Sequence, residues 1–410
     1  MSDIQALAGG VAVPATASRA AVRAPSGLKV EIADASRLAA LRREWADLLV
    51  RADVPNVLMD PAMVQAAAEV FPQSQSQALL VWKPSTAGRQ LAGLWAFSIG
   101  RPHQSVLPMR ALTIPPGPHR YLATPVIDRT CLDDTLHAML DALAADPRLP
   151  KIAALDAMSA DCPTTEALLR VLAARGSAPC WLERLRRRPK LASNLDGKSY
   201  LEKALSSSSR KKLRQHRRRL AEQGRLSHVV AGDTEAIRRA VEDFLRMEAS
   251  GWKGRQGTAL LSDAENAAYV RRSIIGMAEQ GCAAVHALYL DDRPVSMQIV
   301  VRAGAVAYTW KTAYDEAFRE FSPGMLLLED YTAAFLADKS IAYVDSCSYD
   351  DSSYMAAWTE RRAVADVWID ARRGGSLAFS LLAFLQKRYR DLRSFGKSAY
   401  NAIQRRRKKH

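Results

Sequence analysis

Trp310 to Tyr331 reads WKTAYDEAFREFSPGMLLLEDY, and Tyr343 to Arg362 reads YVDSCSYDDSSYMAAWTERR. A strand, a Ser322-Pro323-Gly324 turn, a leucine-rich helix and a second strand follow one another without filler. A turn of small residues opening directly into a helix leaves backbone N–H groups unpaired and a partial positive charge at the helix start. Such a start suits a pyrophosphate, so the stretch predicts a grip on a phosphorylated donor.

Upstream, the run from Cys282 to Asp315 reads as three strands joined by turns at Asp291-Asp292 and Ala303-Gly304. Before it come two helical patterns, TEAIRRAVEDFLRMEASGW from Thr234 and NAAYVRRSIIGMAEQG from Asn266, and a short strand HVVAGD from His228. The run SYLEKALSSSSRKKLRQHRRRLAEQG from Ser199 is helical in two stretches, interrupted by Ser206 to Ser209 and stopped by Gly224. In its basic part Leu213 and Leu220 are the inner stripe.

Toward the N-terminus, residues 1–27 are rich in Ala, Gly, Pro and Ser and are expected to form a disordered arm. From Leu28 a strand, KVEIAD, leads into an amphipathic helix opened by Ser36 as N-cap, with Leu38, Leu41, Trp45, Leu48 and Leu49 as its core stripe. A second helix starts at Pro61. QALLVWK and QLAGLWAFSIG form a hairpin, PPGPHRYLATPVID is too proline-rich for a central strand, and helices and strands alternate from Cys131 to Trp181. The expected organisation is an arm over 1–27, an α/β domain over 28–190, a second over 196–373, and a helix with a basic tail over 374–410.

At 410 residues, with 48% hydrophobic and 25% charged residues, the chain can bury a core without metal or disulfide staples. No apolar run reaches the roughly 20 residues that span a bilayer, and residues 1–27 lack a secretory core, so a cytoplasmic location is expected. The five cysteines are scattered without CxxC spacing and read as reduced; His103, His119, His137, His216, His228 and His286 are isolated, so no metal is expected. No GxSxG or Walker loop is present. The net charge of +15 is local: clusters starting at Arg184, Arg210 and Arg405 hold 17 basic residues, leaving 41 against 43 acidic ones. For the Arg210 cluster three readings stay open: a solvated surface, a grip on a donor phosphate or anionic acceptor, and RNA.

Four ordered motifs carry a resemblance: RKKLRQHRRRLAEQG from Arg210, EASGWKGRQGTAL from Glu248, WKTAYDEAFREFSPGMLL from Trp310 and VDSCSYDDSSYMAAWTERR from Val344. From about Lys198 to Arg373 the chain resembles the Gcn5-related N-acetyltransferase (GNAT) superfamily, in the FemAB-like branch and near CelD-like proteins associated with cellulose biosynthesis. The resemblance implies tandem α/β (α+β) domains, each a mixed, mostly antiparallel sheet flanked by helices. It implies an N-acyltransferase that moves an acyl group from acetyl-CoA or another acyl-CoA to an amine of a small molecule or glycan by direct attack. Two alternatives are an aminoacyl-tRNA-dependent transferase, with tRNA as partner, and a non-catalytic accessory module of polysaccharide assembly.

Family members hold the CoA pyrophosphate with Arg or Gln followed by x-x-Gly-x-Gly or Ala. Here Arg319, Glu320, Phe321, Ser322, Pro323 and Gly324 match that stretch: Ser322 replaces the first glycine and Pro323 has no N–H. Arg319, Phe321, Ser322, Gly324 and Met325 are the expected donor-binding residues, with simple capping by Ser322 as the other reading. Amine acylation needs a proton acceptor, and Glu248 is the first candidate, or else a carboxylate paired with Arg255 or Lys253. Asp345, a lone charge in an apolar strand, is expected to bind the acceptor amine or orient Lys311 and, with Glu248 and Tyr354, to handle protons in catalysis. Tyr354 or Tyr314 would protonate the leaving thiolate, and Trp252, Lys253, Lys311 and Tyr314 would contact substrate.

Overall fold

The computed structural model describes residues 27–86, 88–103, 105–182, 185–348 and 354–407. Apart from Gly27, the expected N-terminal arm lies outside the described residues, as do Arg184, Tyr349 to Ser353 and the tail beyond Arg407. The described chain builds one continuous sheet of mixed pairing, mostly antiparallel, flanked by helices.

Its strands are β1 (Lys29–Ala33), β2 (Gln77–Ser85), β3 (Gly88–Gly100), β4 (Ala111–Thr113), β5 (Val126–Ile127), β6 (Ile152–Ser159), β7 (Cys180–Trp181) and β8 (Arg186–Leu191). They continue with β9 (Leu226–Ala231), β10 (Ala283–Leu290), β11 (Arg293–Ala303), β12 (Val306–Tyr314), β13 (Tyr343–Asp345) and β14 (Glu360–Asp370). Across the sheet the order is β1-β2-β3-β4-β6-β14-β8-β13-β12-β11-β10-β9, with β5 on β3 and β7 on β14.

That order is the same series read from both ends. β1 to β4 pair antiparallel in turn, β4 lies parallel to β6, and β6 takes an antiparallel strand. From the other edge β9 to β12 pair antiparallel, β12 lies parallel to β13, and β13 takes an antiparallel strand. The strands completing each series are exchanged: β14, late in the chain, pairs with β6, whereas β8 pairs with β13. β14 and β8 then pair with each other and join the halves. The sheet therefore runs through the boundary expected near residues 190–196.

β8 is the element that the composition concealed. Its sequence RRRPKL reads as a basic surface run, and a proline is usually kept from a strand with neighbours on both sides. Pro189 is tolerated here because β13 is only three residues long; the Ser346 N–H donates to the Pro189 carbonyl at 3.2 Å. Arg188 on this strand is buried, 1% exposed.

Several local expectations hold with small adjustments. Asp34, not Ser36, caps the first helix: its carboxylate accepts the Arg37 N–H, the Ser36 hydroxyl donates to that carboxylate, and the helix breaks into Ala35–Ala39 and Arg42–Arg51. Leu38, Leu41, Trp45 and Leu48 are buried and Leu49 packs partly against them. Pro61 opens the helix Pro61–Val70, capped by Asp60. The basic helix Ser207–Ala221 has Ser206 as cap and buries Leu213 and Leu220, with His216 between them. Among the described residues the five cysteines are unbridged.

Candidate active site

A cleft lies in the second half. The amphipathic helix Thr234–Ser250 carries Met247 and Glu248 in its last turn, the chain turns through the four-residue helix Trp252–Arg255, and the far end of β12 and the helix Pro323–Ala337 close the opposite side. Together they enclose a cavity of about 360 Å³. Its walls are Met247, Glu248 and Gly251 to Lys253 from one side, and Thr312 to Tyr314, Glu316, Arg319, Ser322 to Met325 and Tyr354 from the other.

β12 has an open edge at this place. β13 pairs with it only from Tyr343 to Asp345, against Val306 to Tyr308. From Thr309 to Tyr314 that side of β12 faces no strand among the described residues. An unpaired strand edge presents N–H and C=O groups to an extended, amide-bearing ligand.

At the turn, Ser322 adopts a left-handed conformation with φ 52° and ψ 54°, and its side chain makes no capping hydrogen bond. A non-glycine residue there carries some strain. The Ser322 N–H donates to the Arg319 carbonyl at 3.1 Å and the Met325 N–H to the Ser322 carbonyl at 2.9 Å, so these two donors are already used inside the turn. Pro323 has none. Among the described residues no acceptor meets the Gly324 N–H, and a Cβ built on Gly324 would find open space within 4 Å. Gly324, the Ser322 hydroxyl and exposed Arg319 are thus the groups left for an anion. Phe321 is a correction to the sequence reading: it is buried in the core under the helix Pro323–Ala337, with the Arg219 guanidinium 5.3 Å from its ring centroid, and does not line the cavity.

Glu248 is buried and fully engaged. One carboxylate oxygen accepts from Lys253 Nζ at 2.7 Å and lies 3.6 Å from Lys311 Nζ; the other accepts the Leu260 N–H at 2.8 Å. Burial raises its pKa, but the charges of Lys311 and Lys253 and these hydrogen bonds outweigh that and hold the carboxyl below its ordinary range. Arg255, the other expected partner, instead reaches Glu316 at 2.6 Å, whose second oxygen accepts the Trp252 N–H at 2.7 Å. Glu316 therefore pins the loop that carries Trp252 and Lys253. Lys311 lies behind the cavity wall rather than on it; burial pushes its pKa down, Glu248 draws it partly back, and Lys253 pushes it down again.

Asp345 is also corrected by the structure. It is wholly buried and does not line the cavity. Arg362 meets it at 2.8 Å, Arg188 at 3.4 Å, and the Cys347 N–H donates to it at 2.8 Å. Burial raises its pKa, and the two guanidiniums more than reverse that. It binds β8 to β13 and β14 and reaches no substrate space. Lys311 takes its orientation from Glu248. Tyr354 does face the cavity; burial raises its pKa, so its phenol stays protonated, with Thr312 and Tyr331 in hydrogen-bonding reach.

Sequence reading missed Arg188, Glu316 and His119. His119, from the proline-rich run before β5, is half-buried beside Trp310, and desolvation together with the charges of Lys311 and Arg188 drives its pKa down to about 3. It is a neutral imidazole next to the Glu248–lysine group. No local pattern marks it, because it reaches the site across 190 residues of chain.

Comparison with known proteins gives a family match over part of the chain and a likeness of fold over most of it. Residues 207–354 match the family model of the acetyltransferase (GNAT) domain, a stretch holding the basic helix, the cavity and the turn. The crystal structure of FemX superposes with a TM-score of 0.58 at 11% identity, covering 80% of this chain and 95% of that one. The C-terminal domain of a candidate lysylphosphatidylglycerol synthetase from Agrobacterium fabrum superposes with a TM-score of 0.50 at 14% identity, covering 85% and 95%. At these identities the likeness is one of fold, and it extends over both halves. No curated protein matches the sequence.

Proposed function

We propose that the chain is an N-acyltransferase that takes an acyl group from acyl-CoA and passes it to an amine within a ternary complex. The observation that carries this reading is the coincidence, in one cavity, of the open β12 edge, the free Gly324 N–H at a helix start and a buried lysine–glutamate group. Arg319, Ser322 and Gly324 would receive the pyrophosphate. The edge from Thr309 to Tyr314 would pair with the amides of the pantetheine arm, which brings the thioester toward Lys253 and Tyr354.

In the reaction the acceptor nitrogen attacks the thioester carbonyl, a C–N bond forms, and the C–S bond breaks. The nitrogen sheds a proton and the departing thiolate gains one. Glu248, with both oxygens engaged and its pKa depressed, is a poor direct base. It acts instead as the residue that positions Lys253 and Lys311. Lys311, whose pKa burial lowers and which stands behind the cavity wall, takes the acceptor's proton through an intervening water. The Lys253 ammonium steadies the oxyanion. The Tyr354 phenol protonates the sulfur.

Among the described residues the two halves differ at the matching helix start. The helix Leu132–Ala145, which leads into β6 as Pro323–Ala337 leads into β13, carries Asp133 and Asp134 in its first turn, where they repel a phosphate; the first turn of Pro323–Ala337 has no acid. Calorimetry with acetyl-CoA and longer acyl-CoAs tests the proposal, and absence of binding to any of them at millimolar concentration would overturn it.

One observation favours a second reading, an aminoacyl-tRNA donor. The basic helix borders the donor turn, with Arg219 3.1 Å from Glu320, and leaves Lys211, Lys212 and Arg214 exposed. tRNA binding whose logarithm falls steeply with the logarithm of salt, together with no acyl-CoA binding, would select it. A place in polysaccharide assembly rests on the resemblance of the four motifs alone.

A further inference from the structure

The helix Leu377–Arg407 is fastened to the sheet by one narrow stripe. Phe379 and Ala383 pack with Trp368, Leu182 and Ala154, the Gln386 side chain accepts the Val106 N–H at 2.9 Å, and Arg390 meets Asp366 at 3.0 Å. Spacings of four, three and four residues put these groups on one face.

The opposite face is apolar and open. Leu377 is 91% exposed, Leu381 61%, Phe384 55% and Leu392 72%, with Leu385 and Tyr389 beside them. These positions recur at helical spacing and form a stripe that points away from the body of the protein. Scattered exposed leucines need no explanation, but a continuous stripe of this length does.

The charge around it is of one sign. From Leu377 to Lys409 the sequence has ten Lys and Arg residues against the single acid Asp391. Lys387, Arg388 and Arg393 are exposed, and the Arg388 guanidinium sits 5.2 Å from the Phe384 ring centroid. Two copies of this helix would bring like charges together, which disfavours self-pairing. Residues 1–26 of the chain, with Arg19 and Arg23 against Asp3, offer no opposite charge either. A nucleic acid would use the cations but not the leucines. An apolar stripe framed by cations fits the boundary between anionic headgroups and acyl chains. No helix among the described residues is long and apolar enough to cross a membrane, so the fitting arrangement is a helix lying on the surface.

We infer that the outward face of this helix docks the protein onto an anionic lipid bilayer. The full chain is mixed with vesicles of phosphatidylcholine alone and with vesicles of phosphatidylcholine and phosphatidylglycerol in equal parts, then sedimented. Preferential binding to the anionic vesicles, weakening with salt, is the expected result. The triple variant Lys387→Glu, Arg388→Glu, Arg393→Glu should lose partitioning on the order of 100-fold, at about fivefold for each cation removed. The triple variant Leu381→Ser, Phe384→Ser, Leu392→Ser should lose at least about tenfold through lost apolar burial. All six side chains are exposed, so thermal melting should be unchanged and serves as the folding control. Three results would each overturn the inference: equal binding to both vesicle types or none, binding unaltered in both variants, or a concentration-dependent dimer that the serine variant abolishes. An effect of the charge variant on RNA binding with none on vesicles would overturn it as well.

Discussion

Replacing Gly324 by aspartate separates donor binding from folding, because the two respond with opposite sign. The site has room: a Cβ on Gly324 meets nothing within 4 Å, and the residue's φ is not in the left-handed region. Aspartate in the first turn of a helix is favourable by about 0.3–1 kcal/mol, and the helix Pro323–Ala337 has no acid there, so melting temperature should hold or rise slightly. A pyrophosphate at the Gly324 N–H would lie about 5 Å from the new carboxylate. At an effective dielectric constant of roughly 20 one charge pair at that distance repels by about 3 kcal/mol. Solvent and salt in an open cleft reduce this, leaving about 2 kcal/mol, or roughly a 30-fold weaker donor Kd. Titration calorimetry with acetyl-CoA reads the loss, and Gly324→Asn, similar in size but uncharged, should lose only a few-fold. If the aspartate variant melts normally and binds acetyl-CoA as tightly as the parent, the pyrophosphate does not sit at this helix start.

Glu248→Gln keeps an acceptor for the Leu260 N–H but removes the charge that draws Lys311 upward; turnover should fall by about 100-fold and the acid limb of the kcat/KM profile should move to lower pH, whereas an unmoved limb would remove Lys311 from the proton path. Asp345→Asn leaves Arg188 and Arg362 buried with a neutral partner and should cost about 3–5 kcal/mol by denaturant melting, with acetyl-CoA affinity of the folded fraction unchanged. The Asp345 pKa is depressed in the folded state, so its contribution is present above the ordinary carboxylate range and fades as pH falls through the folded value; the variant's stability should be flatter in acid than the parent's. Asp60 behaves in the opposite sense. Burial raises its pKa to about 6, so the stability it contributes is full below about 4 and is lost as pH rises through 6, by about 3 kcal/mol. Asp60→Asn retains an acceptor for the Ala62 N–H, and although its amide suits the Trp45 N–H less well, the difference in stability from the parent should shrink between pH 4 and 6.

Much of the chain was legible because it is locally written. Period-3.6 stripes such as Leu38, Leu41, Trp45 and Leu48, turns such as Ala303-Gly304, and caps such as Asp60 before Pro61 depend on near neighbours, and each appears where its pattern stands. The gathering of Glu248, Trp252, Lys253, Tyr314, Arg319, Ser322, Gly324, Met325 and Tyr354 around one cavity follows from two readable local events, a helix ending and a helix beginning.

Where local and global demands part, the sequence alone misled. RRRPKL carries every sign of a solvated basic run, yet it is an inner strand of the sheet, because the neutralising partner of Arg188 is 157 residues away. Asp345 in an apolar strand signals that some compensation exists without saying whether a substrate or an arginine supplies it; only the exchange of β8 and β14 between the halves delivers the arginines. The amino-acid sequence by itself determined most of the helices and strands, β8 excepted, the acid-free helix start at Gly324 and the placement of basic charge. Which carboxylate faces the cavity, which is sealed behind it, and that His119 stands neutral beside Lys311 were decided by the tertiary structure. The reason is that burial and charge pairing, which set the protonation of all three, depend on residues brought together from distant parts of the chain.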